Sequence, residues 1–334
     1  MVAGWLPRGR MLLFALPALA IAIALPQVSS SFVVSLAVSV LVYGLLAMSL
    51  DLIAGYTGLV SLGHASFMGV GAYGVAYALK IGLAPWIAVV FAMAAVMIAG
   101  ATLGFLAVRV RGLTFAILTL AMGQLLWGLA FRWVTVSGGD SGLPAVPRPT
   151  IGPYDLADTA TFYYFVLFVW VASAVLLLLV VRSPFGLTLR GIRDNESRMA
   201  ALGYYTTRHK YIAFMISVFF AGVCGVLLAY YSLYVSPSML DFAHNGSAIQ
   251  MVIIGGLGTL WGSMVGAFVI VFLSQFVSLY VTRWVTIAGL LLIVVVLFMR
   301  RGIWGELAAV AEWLRHRSAT KRARDAESVS GSRR

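Results

Sequence analysis

Charge and cysteine are both scarce in this sequence. Only 10% of its 334 residues are Asp, Glu, Lys or Arg, against about a quarter in soluble domains, which excludes an ordinary water-soluble enzyme. The lone cysteine, Cys224, lies in the apolar stretch Phe219 to Leu228. A disulfide within the chain is therefore impossible, and a cysteine metal site is not expected. No Gly-x-x-x-x-Gly-Lys-Ser/Thr occurs, so the chain lacks a nucleotide-binding loop of its own. No cluster of His, Asp, Glu or Cys falls within the apolar runs, which argues against an intramembrane enzyme and against a metal site.

What the chain has instead is length without charge. Residues 11–50 and 243–282 are each 40 residues long with no Asp, Glu, Lys or Arg, twice the roughly 20 apolar residues of one membrane-spanning helix. Charges, prolines and polar clusters divide the sequence into spans near 11–30, 32–50, 58–79, 85–108, 113–131, 162–181 and 211–232, then a 36-residue stretch, 247–282, and a short segment, 284–299. Gly255-Gly256-Leu257-Gly258 interrupts the 36-residue stretch. Counting it as two crossings gives an all-α polytopic membrane protein of about ten spans; a re-entrant loop there remains open.

The net charge of +12 could suggest nucleic acid, but its distribution points to the membrane. With ten crossings and both termini inside, 19 of the 23 Lys and Arg lie on the inner side, and only Lys80, Arg132, Arg148 and Arg283 lie outside. That is the bias expected of cytoplasmic loops. The chain then divides into a cytoplasmic N-terminus (1–10), a transmembrane region (11–299) and a basic cytoplasmic tail (300–334). The tail is expected to carry a short helix over Trp304 to Arg317 on the inner leaflet, in contact with membrane lipid rather than nucleic acid. Arg8 and Arg10 before the apolar run Met11 to Leu25 also fit a signal peptide cleaved near Ser30; Pro26 crowds that zone, so a retained first helix is expected.

Function must reside in polar groups within spans, in glycine-rich contacts, or in the large inner loop 182–210. Thr57, Ser61, His64, Thr119, Gln124 and Gln250 are candidates for a translocation path; for His64 an interhelical hydrogen bond competes with that role. Asp51 is expected at the inner end of its helix, where ionisation costs less than at the bilayer centre. Gly258, Gly262 and Gly266 recur every four residues and read as one small-residue face for helix packing. Gly58, Gly63 and Gly71 crowd the third span in the same way, and Gly255 and Gly256 join the later cluster. Dense glycine also permits broken helices whose backbone groups bind a zwitterion at membrane depth. The outer segment 132–161 is rich in Gly and Pro and reads as a turn-rich loop; its Gly139-Asp-Ser-Gly142 is a tight turn rather than a protease motif.

In the inner loop, Asp194 or Asn195 can cap a helix, Glu196 complements its dipole, and Gly203 suits a left-handed stop. A two-turn helix over Glu196 to Leu202 follows, with Met199 and Leu202 on one face beside Ala200 and Ala201. Such a helix either docks in a groove of a soluble partner or serves as a solvated connector.

These residues resemble a family: the LivM-like half of the integral-membrane permease subunits of bacterial branched-chain amino-acid ABC importers. The resemblance is carried by Ser183-Pro-Phe-Gly186 with Arg190, Ile192-Arg-Asp-Asn-Glu196, Ala200-Ala-Leu-Gly203, Phe220-Ala-Gly-Val-Cys-Gly225, and Ile254-Gly-Gly-Leu-Gly258-Thr-Leu-Trp-Gly262. Gly58-Leu-Val-Ser-Leu-Gly63-His-Ala-Ser-Phe67 and Phe115-Ala-Ile-Leu-Thr-Leu-Ala121 add to it upstream, and the likeness covers about residues 40–303. It implies a multi-pass subunit of the inner membrane, without enzymatic activity or cofactor. ATP and Mg would be held by two cytoplasmic ATPase subunits, with a homologous second permease alongside and a periplasmic or lipoprotein binding protein facing the outer loop. It also makes the loop helix, with Arg193, Glu196, Met199, Ala200, Ala201, Leu202 and Gly203, the element that couples to the ATPase. Cargo could equally be urea, short amides or another small polar solute. An ion-coupled secondary transporter is the rival reading, but it needs ionisable groups near the bilayer midplane, and only Asp51 comes close.

Overall fold

The computed structural model describes residues 20–144, 146–151, 154–299, 301–307 and 309. In chain order the helices are α1 (20–28), α2 (Ser31–Asp51), α3 (His64–Lys80), α4 (Pro85–Ala107), α5 (Gly112–Arg132), α6 (Val134–Ser137), α7 (Thr159–Arg182), α8 (Pro184–Asp194), α9 (Glu196–Ala201), α10 (Thr206–Ser232), α11 (Phe242–Gly255), α12 (Trp261–Gln275), α13 (Trp284–Phe298) and α14 (302–307). A π-helical turn, three short 3-10 turns and four two-residue strands, β1 (Leu143–Pro144), β2 (Thr150–Ile151), β3 (Tyr154–Asp155) and β4 (Tyr234–Val235), complete the described elements. Residues 1–19 of the possible signal peptide and most of the expected tail helix fall outside the described residues.

Among the described residues, six helices are long and apolar enough to cross a membrane: α2 with the turn that extends it to Thr57, α4, α5, α7, α10, and α12 with the turn that extends it to Leu279. α3, α11 and α13 have 17, 14 and 15 residues. At about 1.5 Å per residue they are roughly 21 to 26 Å long, short of a hydrocarbon core of about 30 Å. The stretch 247–282 resolves into a helical hairpin, because the chain breaks at Gly256 and turns back into α12 at Trp261.

The span expected at 58–79 begins later than its hydropathy suggests. α2 instead runs on as a π-helical turn, Leu52–Thr57, closed when the Thr57 hydroxyl donates to the Leu52 carbonyl, 3.0 Å away. Gly58 ends that turn with φ 78°, in the left-handed region that favours glycine. Residues 58–63 then run without helix, and α3 starts only at His64. The backbone N–H of Leu62 bonds to Thr119, two turns inside α5, so α3 starts within the bundle rather than at its end.

α2 and α10 are the most buried of the long helices, and the largely buried α3 packs between α10 and α4. Small residues permit these contacts: a Cβ at Gly71 would lie 2.6 Å from the Gly222 carbonyl, and one at Gly74 would lie 2.7 Å from the Ala92 Cα. α4, α5, α7 and α13 turn exposed Trp, Phe, Leu, Ile and Val outward, as helices facing lipid do.

The bundle has two distinct ends. At the basic end, the α4–α5 turn meets the α8–α9 region through Arg111 and Glu196, and Gly302 packs on Gly256. At the opposite end, β1 pairs antiparallel with β4, Leu143 facing Val235. Gly138, at φ 76°, and the 3-10 turn Gly139–Ser141 make the Gly-Asp-Ser-Gly segment a turn. Arg148 fastens the 132–161 loop: its guanidinium donates to the carbonyls of Tyr230, Tyr231, Leu156 and Ala157, and it sits 4.2 Å from the Phe162 ring centroid.

Candidate functional site

The basic-end loop is two helices, not one. α8 was not legible from hydropathy, although Ser183-Pro184 carries its start signal: the Ser183 hydroxyl accepts from the Gly186 N–H, and Pro184 occupies the first turn. α8 buries Gly186, Leu189 and Ile192 against the bundle. α9 follows at Glu196–Ala201, capped by Asn195, whose Oδ1 accepts from Arg198 N–H at 2.9 Å. It stops as the sequence suggests. Gly203 has φ 86°, and the N–H groups of Gly203 and Tyr204 bond back to the carbonyls of Ala200 and Met199, the paired closure that a left-handed glycine makes.

α9 is tied down on one side only. The Glu196 carboxylate lies 2.9 Å from Arg111 Nε and 2.8 Å from Lys210 Nζ, and Lys210 is 2% exposed. Burial pushes the Glu196 carboxyl up, but hydrogen bonds from Lys210 and Thr206 and the charges of Lys210 and Arg111 outweigh it and hold the group below the ordinary carboxylate range. Met199 packs against Gly191 of α8, so it does not share the outward face with Leu202. That face is Ala200, Ala201 and Leu202, the last 67% exposed.

Arg193, at the end of α8, reaches into the bundle. Its guanidinium donates to the carbonyl of Gly55 in the π turn, and its chain lies against Gly58. Beside it, Asp51 is fully buried rather than at an open helix end. Its carboxylate accepts from the N–H groups of Gly258, at 2.6 Å, and Leu260, at 2.9 Å. Those donors offset the cost of burying the group. Gly55 and Gly258 are in backbone contact. The two glycine-rich breaks, one after α2 and one between α11 and α12, thus form a single junction. Gly258 lies in the break with φ 80°, not on the helical face with Gly262 and Gly266. Those two face α11: a Cβ on either would strike the backbone of Gly255 or Met251.

Further inside, polar groups gather around the start of α3. His64 Nε2 lies 2.9 Å from Ser49 Oγ and 3.3 Å from Ser217 Oγ. Both hydroxyls already donate to backbone carbonyls, of Leu46 and Ser49. Nε2 must therefore carry the proton, which leaves Nδ1 a buried acceptor with no donor among the described residues. Asn245 accepts from Ala65 N–H at 2.8 Å and donates to Ser66 Oγ at 3.0 Å, so it caps α3 from across the bundle. Ser61 Oγ and Gln124 Nε2 are buried without a hydrogen-bond partner among the described residues. Gln124 follows Gly123, which packs on Gly63.

Ser61, His64, Thr119 and Gln124 therefore share one interior region. Thr57 spends its hydroxyl within the π turn, and Gln250 is half-buried on α11. Sequence reasoning missed Asn245, and also Ser49, Ser217, Arg111 and Lys210. No local pattern marks contacts between residues this far apart. Among the described residues, no group of three or more His, Cys, Asp or Glu could hold a metal ion.

Comparison with known proteins bears on this arrangement. Two LivM proteins, each described as a high-affinity branched-chain amino acid transport system permease protein, from Salmonella typhimurium LT2 and Escherichia coli K12, are 31% identical to the chain over 271 residues. The alignments cover 74% of this chain and 64% of each relative, so the chain spans under two thirds of their length. No solved structure matches. The family model described as the permease component of the branched-chain amino acid transport system matches residues 32–299, a range holding α2 to α13 and both helix breaks, and the chain belongs to that family.

Proposed function

We propose that this chain is the membrane-spanning subunit of an ATP-driven importer of branched-chain or related amino acids. In this reading it crosses the inner membrane of a bacterial cell ten times, with the basic end and both termini in the cytoplasm. α3, α11 and α13 count as crossings despite their length, and the segment ending in α1 supplies the first. Family membership supports the class, and the role named for the two relatives supports the cargo. Two ATPase subunits would hold ATP and Mg below, a homologous permease would complete the path, and a binding protein would deliver cargo at the outer loop. The chain itself performs no covalent chemistry.

The observation that carries the reading is the construction of the basic-end loop. α9 is fastened inward by Glu196, while Ala200, Ala201 and Leu202 face outward. α8, continuous with it, grips the junction of the helix breaks through Arg193. ATPase closure would displace α9 and α8 together. Arg193 would carry that displacement to Gly55 and, through Asp51, to residues 258–260. Movement there would reset the start of α3, where Ser61, His64, Thr119 and Gln124 would line the passage.

The test is uptake of labelled leucine by proteoliposomes holding the complete transporter. Ala200→Glu or Ala201→Trp should abolish uptake while leaving the chain inserted. Wild-type uptake in both would remove the coupling assignment. Uptake that fails without ATP but survives collapse of the proton gradient would separate this reading from an ion-coupled carrier.

A further inference from the structure

At the basic end, the α4–α5 turn and the start of α10 enclose a recess of about 710 Å³ lined by Phe105, Val108, Arg109, Tyr205, Arg208 and Tyr211 among others. Two of its walls are cationic and, among the described residues, lack a counter-ion. Arg109 makes one contact, its guanidinium 4.0 Å from the Phe105 ring centroid, and Arg208 has no hydrogen bond or ion pair among the described residues. The nearby carboxylate, Glu196, is already taken by Arg111 and Lys210.

The recess continues into an apolar track. Phe105 lines it and also belongs to an exposed stripe on α4 that includes Phe91, Ala94, Ile98 and Thr102. These positions recur at three- and four-residue spacing, one helical face. The Thr102 hydroxyl folds back onto the Ile98 and Ala99 carbonyls, so its oxygen is satisfied within the helix. A cationic head pocket thus opens onto an apolar track running along α4 toward the opposite end.

We propose that this recess binds one anionic phospholipid, its phosphate between Arg109 and Arg208 and one acyl chain along the α4 stripe. Charge complementarity selects the head, because basic pockets between helices at a cytoplasmic membrane face favour anionic head groups. Tyr205 and Tyr211 suit the head-group level, where amphipathic rings are favoured. The stripe selects a lipid over a soluble anion, which would have no use for it. The inference rests on the basic end lying at the inner leaflet but does not depend on the cargo or on coupling.

The experiment is native mass spectrometry of the full chain extracted from vesicles of equal phosphatidylglycerol and phosphatidylcholine. The wild type should retain phosphatidylglycerol preferentially. Arg109→Gln with Arg208→Gln should lose roughly thirtyfold of that preference, in keeping with two basic side chains at a membrane surface. Arg132→Gln with Arg283→Gln, at the opposite end, should lose none. Ile98→Asp should weaken retention without altering the head pocket. A melting temperature in pure phosphatidylcholine equal to wild type would confirm that the double variant is folded. Excess inorganic phosphate should not displace the bound lipid. Equal phosphatidylglycerol retention by wild type and the Arg109/Arg208 variant, displacement by phosphate alone, or no retained lipid in the wild type would each overturn the proposal.

Discussion

The guanidinium of Arg193, carried by a helix at the surface, donates to the carbonyl of Gly55 in the interior. The two residues are 138 apart in sequence, and Arg190, also on α8, sets its guanidinium 4.9 Å from the ring centroid of Tyr56 in the same turn. Arg193→Ala should lower uptake at least roughly tenfold while leaving insertion and ATP hydrolysis in place, because it leaves a buried carbonyl unpaired at a cost of about 1–3 kcal/mol. Arg193→Lys should rescue part of the loss. Parallel uptake and ATPase assays on the reconstituted transporter would check this; unchanged uptake in Arg193→Ala would contradict it.

Asp51 closes the second break by accepting from Gly258 and Leu260. Asp51→Ala strands two buried N–H groups and should destabilise the chain by about 2–4 kcal/mol, whereas Asp51→Asn keeps an acceptor and should cost less. Thermal unfolding in detergent measures both. Equal melting of wild type and Asp51→Ala would show that the break holds itself.

Glu196 gives α9 a pH dependence with a defined sign. Its carboxyl is held below the ordinary range in the folded chain, so its anchoring is present at neutral pH and is lost as pH falls through that lowered value. A spin label at Leu202→Cys should stay ordered at neutral pH and gain mobility only on acidification past the usual carboxylate range. Glu196→Gln should be mobile already at pH 7. An order parameter that is flat across the acid range would refute the anchor.

Gly266 leaves no room for a side chain, because its missing Cβ would strike the Met251 carbonyl, and backbone cannot step aside as a flexible side chain can. Gly266→Val should therefore destabilise the α11–α12 hairpin by about 1–3 kcal/mol, while Gly246→Ala, which meets nothing within 4 Å, should be near neutral. The two melting temperatures distinguish packing from a general intolerance of substitution.

His64→Ala should raise the KM for uptake roughly tenfold if the free Nδ1 acceptor meets cargo, since a buried hydrogen bond lost on one side costs on that scale. Ser49 and Ser217 keep their backbone acceptors without the ring, so the helices should stay in place. An unchanged KM would assign His64 to holding α2, α3 and α10 together.

Helix positions were mostly legible because an uncharged run has one main solution in lipid, a helix: the span expected at 85–108 is Pro85–Ala107, and that at 113–131 is Gly112–Arg132. The α9 caps were legible too, since Asn195 and Gly203 act within a few residues of themselves. The late start of α3 was not. Residues 58–63 are apolar enough to pass for helix, and only the distant Thr119 and Asn245 settle where the backbone finds its partners. For the same reason Asp51 looked interfacial by position, whereas its two donors come from more than 200 residues away. Candidates such as Ser61 and Gln124 were visible as polar letters in apolar text. Their gathering at the start of α3 was not, because hydropathy records composition along a line and says nothing about depth.

Arg148 joins the carbonyls that end α10 to the segment that leads into α7. The hood over that mouth of the bundle is consequently bolted to two of the longest pillars. Whatever presses on it pushes on beams that run the length of the bundle, so a load there would be felt at the basic end without any hinge in the hood.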